Sequence, residues 1–207
     1  MRRKSWKADI EDDLDYLLND NFRVSVFGSA RISENHEVYN QTYALASMLA
    51  NANIDVITGG GGGVMEAANK GHKSVKSKNN VYSIGLGIKL PQEQKFNDYV
   101  EIQRKFRKFS RRLDQFMFLS NIVVVMDGGI GTCLELFYTW QLIQVQHMHS
   151  LPIILVGSKW GKLIDWVKEE LLDNNYLDQH DLDSIHVVNN NAEVMQIVLS
   201  NYKTWQL

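Results

Sequence analysis

Three times in this 207-residue chain an apolar run of strand character breaks on glycine and passes into helical spacing. No other feature of the sequence limits the fold as much. Phe22–Phe27 stops at Gly28-Ser-Ala-Arg31, Ile54–Ile57 runs into Gly59–Gly63, and Ile122–Met126 ends at Asp127-Gly-Gly-Ile-Gly131. Helical spacing follows over Glu37–Asn51, over Val64–Gly71 with glycine as the stop, and from Thr132 to about Met148. Further strands are expected at Val81–Gly87, Pro152–Val156 and Ile185–Val188. Further helices are expected over residues 101–119, Trp160–Leu172 and from Ala192. Strands alternating with helices predict an α/β fold: a single, Rossmann-like, doubly wound parallel sheet flanked by helices. Residues 22–207 would form this domain, with residues 1–21 as an N-terminal extension whose helix spans 8–19.

In such sheets ligands bind beyond the carboxyl ends of the strands, so the three glycine turns should share one pocket. A helix start presents unpaired N–H groups and partial positive charge, and glycine lets a ligand approach them closely. The expected ligand is therefore a phosphate or another small anion. None of the turns carries a convincing dinucleotide fingerprint, and no Gly-Lys-Ser/Thr completes a triphosphate loop. A monophosphate fits better.

The formal charge of −2 gives no reason to expect nucleic acid or a membrane surface as partner, and no apolar run is long enough to span a bilayer. The basic start Met1–Lys7 is followed by acidic residues rather than a signal core, and Cys133 is the only cysteine, so a reducing cytoplasm is expected. Cys133 reads as a small buried apolar residue. His147 and His149 lie two apart and do not share a helix face, so no metal site is expected.

Two ordered motifs are specific enough to name a resemblance. Thr58-Gly-Gly-Gly-Gly-Gly-Val-Met-Glu-Ala-Ala-Asn-Lys-Gly71 and Asp127-Gly-Gly-Ile-Gly-Thr-Cys-Leu-Glu135 resemble the two motifs of the Lonely guy family of nucleotide phosphoribohydrolases. Val26-Phe-Gly-Ser-Ala-Arg31 and Leu90-Pro-Gln-Glu-Gln94 resemble landmarks of its larger bacterial subgroup. Many members carry an older label, lysine decarboxylase, but the sequence offers no support for a pyridoxal phosphate site. The resemblance implies a homodimer without cofactor that hydrolyses the N-glycosidic bond of nucleoside 5′-monophosphates to free base and ribose 5-phosphate. AMP is the plainest substrate and cytokinin nucleotides a further one. The alternative is a carrier or sensor of the same fold that binds a nucleotide or cofactor without turnover.

The resemblance also implies a catalytic pair, an arginine on the helix before the second motif and that motif's glutamate, which fall on Arg112 and Glu135. Helical spacing agrees: Arg112 borders the stripe Phe106, Phe109, Leu113, Phe116 and Met117, whereas Arg111 points away from it. On helix chemistry alone, Thr132 and Glu135 would form a capping box. The expected substrate-binding residues are Gly28, Ser29, Gly60, Gly61, Gly62, Gly63, Met65, Glu66, Gly128, Gly129, Gly131 and Thr132. Asp127 stands where the family motif has proline. A carboxylate there repels a phosphate unless it points away or meets an arginine. Finally, the helix after the second motif is apolar around much of its circumference, from Leu134 to Val145, which predicts cover by the sheet and by a second subunit.

Overall fold

The structure, a computed structural model, describes residues 21–75, 81–89 and 95–207. The expected helix over 8–19 and the landmark at 90–94 lie outside the described residues. The elements follow the order β1 (Arg23–Phe27), α1 (Glu37–Asn51), β2 (Asp55–Thr58), α2 (Val64–Ser74), β3 (Ser83–Ile88), β4 (Ile102–Phe106), α3 (Phe109–Leu119) and β5 (Ile122–Val125). They continue with α4 (Ile130–Gln144), β6 (Ile153–Val156), α5 (Ser158–Val167), β7 (Ile185–Val188) and α6 (Asn191–Trp205).

The seven strands of the described residues are all parallel and stand in the order β4-β3-β2-β1-β5-β6-β7. Alternate residues of the central strands feed two cores. Phe27, Ile57, Ile84, Val123, Val125, Ile153 and Leu155 meet α3, α4 and α5 through Phe116, Leu136, Trp140, Trp160 and Ile164. Val24, Val26, Val56, Ile122, Val124 and Ile154 meet α1, α2 and α6 through Leu45, Leu49, Val64, Val194 and Val198. Burial on both faces explains why the central strands read as nearly continuous apolar runs. Each fully buried large side chain contributes roughly 1.5–3 kcal/mol. The fold is the expected Rossmann-like α/β single domain.

Four local expectations are corrected. Residues 101–119 are not one helix, because Ile102–Phe106 pairs with β3 as an edge strand. Its alternation of half-buried Ile102, Arg104 and Phe106 with exposed Gln103 and Lys105 follows from one open edge, where charged residues are favoured. Phe106 therefore leaves the stripe, which begins on α3 at Phe109. Helix α4 starts at Ile130, two residues early, and ends at Gln144 rather than near Met148. Helix α5 starts at Ser158, and a π turn over Lys168–Leu172 follows it.

The fourth concerns Gly71, which does not stop α2: the helix continues to Ser74. A Cβ at Gly71 would stand 2.1 Å from the carbonyl oxygen of Tyr43, so glycine is there to let α1 and α2 touch backbone to backbone. Gly71→Ala is expected to lower stability by roughly 1–3 kcal/mol despite alanine's better helix propensity. Urea denaturation would measure this. An unchanged or raised midpoint would mean that the two helices part at little cost.

Candidate active site

Strand order reverses between β1 and β5: the chain builds β2, β3 and β4 on one side, then returns to lay β5 against the other edge of β1. The loops leaving these two strands diverge, and the crevice between them is the expected binding place. It holds a cavity of about 700 Å³, whose walls include Gly28, Ser29, Gly59, Met65, Arg112, Gly128–Thr132 and Glu135.

The glycines serve three different purposes. A Cβ at Gly28 would meet Val64 at 2.5 Å, so this residue brings the end of β1 against the start of α2. Gly63 (φ +65°) and Gly60 (φ +73°) take left-handed backbone. A Cβ at Gly63 would also press on the Ser29 carbonyl, and one at Gly60 on the Phe96 ring. At Gly129 and Gly131, by contrast, a Cβ would meet nothing within 4 Å. Glycine at these two positions leaves the start of α4 uncovered toward the cavity. Among the described residues no side chain caps that start, and the first N–H groups of a helix have no intrahelical acceptor. The arrangement is suited to an anion.

The five-glycine loop is anchored from behind. Asn97 Nδ2 donates to the carbonyls of Gly61 (2.8 Å) and Gly60 (3.2 Å) and to Asn69 Oδ1 (3.0 Å). Thr58 Oγ1 donates to the same Asn69 oxygen at 2.8 Å and accepts from the Gly60 N–H at 3.0 Å. Asn69 Nδ2 donates onward to Ser83 Oγ. Gly60 and Gly61 thus face a small space beside Phe96 and Lys105, and only Gly59 of the run reaches the cavity wall. Gly62, Gly63 and Glu66 do not line the cavity either, while Met65 does.

Arg112 and Glu135 come together from α3 and α4: Arg112 Nη2 donates to Glu135 Oε1 at 2.6 Å, and both side chains are about one-eighth exposed. The guanidinium lies 5.6 Å from the ring centres of both Phe109 and Phe116, which hold it without using its donors. Its Nε is buried without a hydrogen-bond partner among the described residues. Arg111 is exposed. Glu135 does not cap α4, since the earlier helix start places Thr132 inside the first turn and the carboxylate faces Arg112 instead. Burial pushes the Glu135 carboxyl up to about 7 even though Arg112 pulls the other way.

Asp127 does meet a cation, though not an arginine: Lys159 Nζ of α5 lies 2.5 Å from Asp127 Oδ2. Lys159, Arg31 and His36 line the cavity and were not singled out in the sequence. The available signal for Lys159 was its position two residues past Gly157, at a fourth strand-to-helix turn.

The raised Glu135 pKa fixes a sign for stability. The folded state binds more protons than the unfolded chain between the ordinary glutamate range and about pH 7, so this carboxyl's contribution is lost as pH rises through about 7. Relative to Glu135→Gln, the wild-type protein is expected to lose roughly 2 kcal/mol between pH 5 and pH 8. Parallel denaturation of both proteins across that range would test it. A constant difference would mean that Glu135 is charged throughout.

No helix of the described residues is long and apolar enough to cross a membrane. The X-ray structure of TM1055, a Northeast Structural Genomics Consortium target, superposes on this chain with TM-score 0.66 and 25% identity, covering 86% of this chain and 99% of that one. The molybdenum cofactor carrier protein from Chlamydomonas reinhardtii shares the fold at TM-score 0.63 and 20% identity, covering 88% and 99%. In sequence, the pyrimidine/purine nucleotide 5′-monophosphate nucleosidase of Escherichia coli (strain K12) is 26% identical over 145 residues. That match takes in 66% of this chain but 31% of the relative, so the chain spans about a third of the length of the curated relatives it matches. The family model described as "Possible lysine decarboxylase" matches residues 65–198, well over half of the chain. The chain belongs to this family, the Lonely guy type that its two glycine motifs resemble.

Proposed function

We propose that the protein hydrolyses the N-glycosidic bond of nucleoside 5′-monophosphates, AMP or cytokinin riboside monophosphates among them, to free base and ribose 5-phosphate. One observation carries this reading: the buried Arg112–Glu135 pair stands in the wall of the cavity into which the uncapped start of α4 opens. The 5′-phosphate would accept hydrogen bonds from the N–H groups around Gly129, Gly131 and Thr132. As the C1′–N bond breaks, its electron pair leaves with the base and positive charge builds on the ribose. The Glu135 carboxylate stabilises that charge and takes a proton from the water that adds to C1′; the proton then passes to the departing base. Arg112 orients Glu135 and opposes charge on the leaving base.

The decarboxylase in the family's description fits the residues poorly. Pyridoxal phosphate chemistry needs a lysine held neutral in a desolvated place. Lys159, the only lysine among the described cavity residues, is 76% exposed and paired with Asp127.

A homodimer is part of the proposal. Ile130, Leu134 and Phe137, spaced as one face of α4, are exposed, and Phe109 of α3 is exposed as well. A second copy would cover this stripe. Light scattering should give twice the chain mass, and Leu134→Glu with Phe137→Glu should halve it. A monomeric wild type would refute the dimer. A cytoplasmic site of action, which the lone, half-buried Cys133 suits, completes the reading.

Incubation with AMP is expected to release adenine and ribose 5-phosphate, with kcat/KM rising with pH through about 7 as Glu135 ionises. Glu135→Gln should lower kcat by roughly 10²–10⁴-fold while nucleotide binding persists. Tight binding without product, across purine and pyrimidine monophosphates, would replace the hydrolase with a carrier, the role named for the Chlamydomonas protein of the same fold.

A further inference from the structure

The rim of the cavity carries a charge pair that the mechanism above does not use. Asp127 is tied in place through its backbone, whose carbonyl accepts from the Ser29 N–H at 3.0 Å across the ends of β1 and β5. Asp127 lines the same cavity as Gly129 and Gly131, the start of α4 proposed to take the phosphate. Alone, this negative charge would oppose any anion there. Lys159 answers it from α5. The turn before α5 passes through Gly157 at φ +111°, a conformation that glycine adopts freely, and a Cβ at Gly157 would stand 3.7 Å from Asp127 Oδ1. The β6–α5 turn thus lies against Asp127, and Lys159 Nζ reaches its Oδ2 at 2.5 Å.

An ammonium carries three donors, of which Asp127 takes one. The side chain of Lys159 is largely open to solvent and lines the same cavity as Gly129 and Gly131. Cations outnumber carboxylates in the cavity wall: Arg31, Arg112 and Lys159 stand with Asp127 and Glu135, in a chain whose net charge is −2.

We propose that Lys159 is the specificity-determining cation for a phosphate monoester in this site. It neutralises Asp127 and gives its remaining N–H groups to the phosphate at the start of α4, with Asp127 as its positioning residue. The proline of the family motif would need no such partner, so the pair accounts for the departure at Asp127. This inference rests on the reading of the cavity as a nucleotide site.

The test is titration calorimetry with ribose 5-phosphate, which requires no turnover. Wild-type protein is expected to bind it. Lys159→Ala should bind roughly tenfold more weakly, with Lys159→Arg restoring most of the loss. Asp127→Asn combined with Lys159→Ala should bind several-fold more tightly than Lys159→Ala alone, because the uncompensated carboxylate is gone. Thermal unfolding of the unliganded variants should match wild type, since the pair lies at the surface. Binding that ignores Lys159, no recovery in the double variant, or no binding by wild type would each overturn the proposal. Lys159-dependent binding in a protein that releases no adenine from AMP would reject the hydrolase and leave this inference standing.

Discussion

Everything at the site follows from the side-by-side parallel pairing of β1 and β5. Val24 to Phe27 pair in register with Ile122 to Val125, so two strands nearly a hundred residues apart end at the same height. Their outgoing loops must diverge, because α1 packs on one face of the sheet and α4 on the other. The opening is thus a requirement of topology. What the sequence adds is its lining: Ser29 bridges both sides, with its N–H on Asp127 and its carbonyl on the Val64 N–H.

Within that opening the decisive contest is between desolvation and one guanidinium. A carboxylate beside an arginine ordinarily has its pKa lowered, yet Glu135 is raised to about 7 because burial outweighs the attraction. A group poised there exchanges protons near neutral pH, the range in which general acid–base chemistry is most effective. Beyond its hydrogen bond to Glu135, Arg112 is flanked by the rings of Phe109 and Phe116, which take none of its donors. The second ion pair, at the rim, differs in kind: its lysine is exposed and screened, so the pair contributes little to stability.

Much of this was legible in the sequence because the signals were local. The glycine turns, the apolar central strands and helix α1 are set by short-range spacing, and Arg112 was separable from Arg111 by helical angle alone. What escaped reading depended on distant partners. β4 looked helical because an edge strand carries Arg104 and Lys105 on a pattern that only β3 completes. Gly71 looked like a stop because its neighbour is the backbone of another helix. Asn97 and Lys159 carried no motif, and their roles come from contacts 36 and 32 residues away in sequence. The glycine run is a separate case. Its length suggested a cradle, but only Gly59 reaches the cavity, and Gly60 and Gly63 serve backbone geometry.

The way that run is fastened has a consequence for speed. Five glycines in succession would ordinarily be the softest segment of a protein, disordered until a ligand gathers them. Here the amides of Asn97 and Asn69 clasp Gly60 and Gly61 directly or through Thr58, so that conformational entropy is already surrendered during folding. The loop that brings Gly59 to the cavity is thus set in advance and need not assemble around a ligand. Encounter would then be paced by diffusion and charge rather than by rearrangement of the glycines.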